Sequence, residues 1–177
     1  MAAQKTFRKP LAPAIAVLAL GGLLAACETV PMDGGFGPGP APGVFRADDF
    51  AWSTRSGSAS IDGRVDYRRN GQVYNCTGSV ALTPDTPYTR ARFRTLYGST
   101  DRAAVPEAIV RARTVPDPNA DYRSYVRSTT CENGCFSFSG LPDGGWFVIA
   151  PVSAGGEERV VLMRHVDTRG GRVSVTL

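Results

Sequence analysis

The sequence predicts an all-β chain, one antiparallel β-sandwich carried behind a leader and a tether. Three observations predict it. Apolar and polar residues alternate through short runs from Ala59 onward; Gly, Pro, Asn and Asp punctuate those runs at close intervals; and one run, 145–152, is apolar on both sides. Period-two alternation marks a half-buried strand, and a doubly apolar run marks a strand covered on both faces.

The leader comes first. Lys5, Arg8 and Lys9 precede an apolar stretch over 11–26 that is too short and too rich in small residues to span a bilayer. It ends in Leu24, Ala25, Ala26 and Cys27. This resembles the lipobox of bacterial lipoproteins, which implies a diacylglycerol thioether on Cys27, cleavage before it and acylation of the new amine. Residues 1–26 are therefore expected to be a lipoprotein signal peptide. The partner so implied is a membrane, with the protein lipid-anchored to the cell membrane or outer membrane and its domain facing the periplasm or the exterior. Two or more acyl chains make such anchoring durable.

Cleavage also changes the electrostatics. Removing Lys5, Arg8 and Lys9 from the 20 basic residues leaves 17 against 16 acidic, a formal net charge of +1. Attraction to nucleic acid needs a net basic surface, so no nucleic-acid partner is expected. Residues 27–48 are dense in Gly and Pro and cannot offset their ordering entropy by burying apolar surface, so they read as a tether. Extended, a tether of about 20 residues reaches about 70 Å. Residues 49–177 suffice for one domain with one core.

Within that domain, 59–67 places Ala59, Ile61, Gly63, Val65 and Tyr67 on one face. Asn70 and Gly71 supply turn chemistry. The 72–82 run continues with Tyr74, Cys76, Val80 and Leu82 on one face, and Gly78 permits a bulge. The 86–97 segment carries two signals. Thr86 as N-cap, Pro87 at the first helical position and Gly98 beyond the end are helix punctuation, while Arg90, Arg92 and Arg94 alternate with Ala91, Phe93 and Thr95 as in a strand. The joint occurrence of the caps favours a short helix. Residues 115–121 read as a loop, 121–130 and 135–141 as strands flanking a Cys pair, and 158–166 and 171–177 as the closing strands.

The 129–152 stretch carries a resemblance. Thr130, Gly134, Phe136, Phe138, Leu141, Pro142, Gly144 or Gly145, Trp146 and Val148 match a pattern of Thr-Asp-x-x-Gly-x-Phe-x-Phe-x-x-Leu-Pro-x-Gly-x-Tyr-x-Val, with Cys131 in place of the Asp. The chain is thereby similar to carboxypeptidase regulatory-like domains, the transthyretin-like (prealbumin-like) sandwiches. What the resemblance implies is an immunoglobulin-like β-sandwich, a core position for Trp146 and a noncatalytic module, interrupted here by an insertion over 86–120.

Candidate chemistry is sparse. Cys131 and Cys135 bracket Glu132, Asn133 and Gly134. A two-residue type I′ loop on Asn133 and Gly134 turns the thiols to opposite faces; a three-residue loop sets them face to face, within the Cα separation of about 4.4–6.8 Å that a disulfide spans. Cys at both ends favours the second geometry and a Cys131–Cys135 staple near the surface. On the chain-entropy relation, so short a loop contributes about 2 kcal/mol. Cys76 is expected to be a buried free thiol; the alternatives are a bridge from Cys76 to Cys131 or Cys135, and no bridge. His165, the only histidine, shares a strand face with Asp167. A hydrolase would need a nucleophile as well, and transthyretin-like hydroxyisourate hydrolases use several histidines. No catalytic residue is therefore assigned, and the chain is not expected to be an enzyme.

One histidine and no suitable thiolate set exclude a zinc site. Asp117, Asn119 and Asp121 imitate the start of a calcium loop, but Tyr122 stands where the sharp-turn Gly belongs and Ser128 where the closing Glu belongs. No metal or cofactor is expected. Trp52, between tether and first strand, is the candidate ligand contact if the module binds sugar. The function expected is a membrane-anchored binding or structural module in the cell envelope. Its partner would be an envelope protein or a glycan, and the alternative reading is a carbohydrate- or peptidoglycan-binding lipoprotein.

Overall fold

A computed structural model describes residues 43–113, 115 and 120–177. Cys27, with the leader and most of the tether, lies outside the described residues, as do Asp117 and Asn119 of the calcium-like stretch. The chain enters through helix α1 (Ala47–Phe50) and a 3-10 turn (Ala51–Thr54), then runs β1 (Ala59–Arg64), β2 (Tyr67–Arg69), β3 (Gln72–Cys76) and β4 (Ser79–Pro84). Helix α2 (Pro87–Tyr97), β5 (Arg102–Pro106), α3 (Glu107–Ala112) and a second 3-10 turn (Ala120–Tyr125) follow. The remainder is β6 (Arg127–Thr130), β7 (Cys135–Leu141), β8 (Gly144–Ser153), β9 (Arg159–Thr168) and β10 (Arg172–Thr176).

Two sheets face each other. The smaller has the order β10-β1-β7, with β1 parallel to β10 and antiparallel to β7. The larger is built on β8. One edge of β8 pairs with β9 from Gly144 to Ser153, and β5 lies outside β9; β4 and β3 share the other edge, and β6 lies outside β4. The expected antiparallel sandwich is present, with one parallel pair.

The alternation read from the sequence becomes the core. Ala59 and Ile61 from the small sheet meet Val80, Leu82, Trp146, Val148 and Val166 from the large one, and Phe136, Phe138 and Leu141 close the layer. Gly63 faces inward because the Phe136 ring lies over it; a Cβ there would come within 1.8 Å of the ring. Trp146 is fully buried, and its indole N–H donates to Thr168 Oγ1 at 3.2 Å. Both faces of β8 are apolar because both are covered: Trp146 and Val148 face the small sheet, while Phe147 packs with Met163 under Phe93 of α2.

The ambiguous 86–97 segment is a helix. Thr86 Oγ1 accepts from the Thr89 backbone N–H, Thr89 Oγ1 accepts from the Thr86 N–H, and Gly98 ends the helix at φ 75°. Reciprocal satisfaction of two donors, with both threonines buried, outweighs the arginine alternation. Elsewhere the structure departs from the sequence pattern. The strand expected over 121–130 is a 3-10 turn followed by the short β6, and the 86–120 insertion contains β5 and α3. Packing also begins before residue 49, because Phe45 contacts Phe50, Tyr88 and Tyr125 in an aromatic cluster. Among the described residues no helix is long and apolar enough to cross a membrane.

Candidate functional site

The outer face of the small sheet carries the polar half of the alternation. Asp62 pairs in register with Ser174 on one side and Ser137 on the other; one step along, Arg64 stands between Thr176 and Cys135. Two rows thus alternate hydroxyl, charge, and hydroxyl or thiol across three strands. Arg172 Nε lies 2.6 Å from Asp62 Oδ2, an ion pair with an exposed guanidinium. The hairpin turn between β6 and β7 rises at one end of the face, where the Val65 N–H donates to the Gly134 carbonyl at 2.8 Å. Together they bound an open cleft of about 840 Å³, to which Thr130, Glu132 and Asn133 also contribute. Such a surface offers donors and acceptors at strand spacing, the arrangement that hydrogen-bonds a polyhydroxylated ligand.

The same turn overturns the expected Cys131–Cys135 disulfide. Asn133 (φ 51°) and Gly134 (φ 77°) form a two-residue loop closed by reciprocal backbone hydrogen bonds between Glu132 and Cys135. That is the type I′ geometry, which turns the two thiols to opposite faces. Cys131 points inward against the core and is bonded to Cys76 across a Cα separation of 6.0 Å, while Cys135 is a free, exposed thiol beside Arg64. Cys76 is therefore not the buried free thiol its strand face suggested. The sequence left a Cys76 bridge only as an alternative, because β3 and the β6–β7 turn meet only through the folding of the large sheet.

Trp52 sits half-buried at the rim of the core, its ring edge-on to Trp146 at 4.9 Å and lying against Gly144. It does not line the outer-face cleft.

His165 pairs with Asp85, not with Asp167, which is exposed. His165 Nε2 and Asp85 Oδ2 are 2.7 Å apart, and Arg90 also donates to Oδ2. Asp85 follows β4, on the far side of β8 from His165, and reaches it over Gly145. A Cβ on Gly145 would lie 2.9 Å from Asp85 Oδ2 and 3.0 Å from His165 Nε2. The same-face rule that suggested Asp167 ignores this gap in the central strand. Phe147 lies edge-on beneath the imidazole at 5.1 Å. The third group of this cluster is a guanidinium, which is no nucleophile, so the cluster ties strand, helix and sheet together.

No family model matches the chain, and no curated protein matches it. A crystal structure from Pseudomonas aeruginosa, of a protein named a putative carbohydrate binding protein, matches over 75% of this chain and 97% of its own, at 20% identity and a TM-score of 0.51. That likeness shows a shared β-fold.

Proposed function

We propose that this chain is an envelope lipoprotein, acylated at Cys27, whose noncatalytic, carboxypeptidase regulatory-like sandwich binds a glycan. The observation that carries the reading is the outer-face cleft. Its hydroxyls, the Asp62 carboxylate and the Arg64 guanidinium are presented on rigid, paired strands, so little ordering entropy is lost on binding. The name of the structural neighbour agrees with this ligand class, and a tethered module in the envelope has glycan within reach.

The test is retention of the full mature chain on purified peptidoglycan and on immobilised polysaccharides. Replacing Asp62 and Arg64 together by Ala is expected to weaken retention about tenfold or more, since hydrogen bonds to charged groups contribute about 1.5–3 kcal/mol. Retention unchanged by that pair but lost in Trp52→Ala would place the glycan at the Trp52 rim. Absence of retention on every polysaccharide would reject the glycan reading.

A further inference from the structure

A second pocket lies beyond the C-terminal end of β10. It holds about 430 Å³, within the range of small-ligand sites, and meets the outer-face cleft only at Thr176. Its apolar part comes from Ala104, Leu162 and Leu177, with the half-buried Tyr67 ring at one side. Two guanidinium groups complete it. Arg102 and Arg164 are register partners on β5 and β9, directly opposite each other, and both line the pocket.

That placement is unfavourable on its own. Like charges directly opposite across an antiparallel pair repel. The Arg102 side chain contacts Asp101 at 3.4 Å, but both groups are largely exposed, at 69% and 73%, where such a contact contributes little. Arg164 is on the strand face shared by Leu162 and Val166, which turns inward, and it is only partly exposed. No carboxylate among the described residues pairs with it. Two cations lining one pocket beside an apolar wall and an aromatic ring have the chemistry of an anion site with a hydrophobic body to cover.

We infer that this pocket binds a carboxylate-bearing small molecule, the carboxylate seated between Arg102 and Arg164 and a flat apolar face against Tyr67. The site is independent of the glycan reading, since it uses neither Asp62 nor Arg64. Both an acidic sugar and an aromatic acid have this chemistry.

The experiment titrates the full mature chain in nanodiscs with glucuronate and with benzoate, followed by calorimetry. Glucose and benzyl alcohol serve as uncharged counterparts. Binding of either acid, with its uncharged counterpart about tenfold weaker or silent, is the expected result. Glucuronate alone would identify a sugar-derived ligand, and benzoate alone a non-sugar acid. Arg164→Gln should weaken binding about tenfold while leaving the thermal midpoint equal or higher, because the substitution relieves the cross-strand repulsion. Arg102→Gln should act in the same direction, which guards against a misfolded single variant. Silence of both acids, equal binding of the uncharged counterparts, or binding unaffected by both substitutions would overturn the proposal.

Discussion

Gly145 decides the polar chemistry of the helix-covered face. The hydrogen bond between Asp85 and His165 passes over it, so Gly145→Ala should force the two side chains apart. The expected cost is about 1–3 kcal/mol, that of breaking a largely buried hydrogen bond involving a charged group, read as a lower urea midpoint with unchanged slope. In a His165→Ala background the same substitution should cost distinctly less, because the bond it breaks is already gone. A second residue-scale prediction concerns Tyr97, on the last turn of α2. Burial, then the neighbouring Tyr122, pushes its phenol up to about 12, against an opposing pull from Arg92. The folded state thus retains a proton that the unfolded chain releases above its ordinary value of 10.0. Its stability contribution is complete below pH 10 and is lost as pH rises from there toward 12. Tyr97→Phe should flatten stability across that window, as measured by chemical unfolding at a series of alkaline pH values.

At the scale of elements, the disulfide carries more than the hairpin staple expected from the sequence. Cys76 and Cys131 are separated by 55 residues, enclosing β4, α2, β5, α3 and β6. Closing that loop contributes about 4 kcal/mol on the chain-entropy relation, twice the figure for a five-residue loop. Cys76→Ser should therefore lower unfolding stability by about 2–5 kcal/mol, whereas Cys135→Ser should leave it within about 0.5 kcal/mol, as an exposed surface change. Peptide mapping of the oxidised protein should recover the Cys76–Cys131 link. The helix and the strands show different legibility. α2 could be read because its stop and start signals are local: Thr86, Pro87 and Gly98 act on backbone groups within one turn. β5 could not, because Arg102 to Pro106 carries no clean alternation and becomes a strand only by pairing with β9.

For the whole molecule, the two apolar faces of β8 explain why a sandwich of this size is stable with a helix on one side. One face closes against the small sheet and the other under α2, so the 145–152 run serves two layers. The anchor belongs to this scale too. Cys27→Ala is expected to abolish acyl labelling and move the protein from the membrane fraction to the soluble one; continued sedimentation with membranes would reject lipid attachment. Of the cleft proposed to bind glycan, its alternation was in the sequence, since Asp62, Arg64, Ser137, Ser174 and Thr176 all fall on polar phases of their strands. Its existence was not, because that depends on β1 standing between β7 and β10, a parallel pairing with a partner more than a hundred residues away.

The sequence by itself determined whatever rests on period and on neighbouring residues. The strand faces, the capped helix and the Asn70–Gly71 turn follow from interactions spanning a few positions. Tertiary structure alone decided which partners meet. It selected Cys76 over Cys135 for Cys131, Asp85 over Asp167 for His165, and Arg102 for Arg164. Each of these pairings depends on strand order and register, and no local energy in the chain distinguishes one distant partner from another.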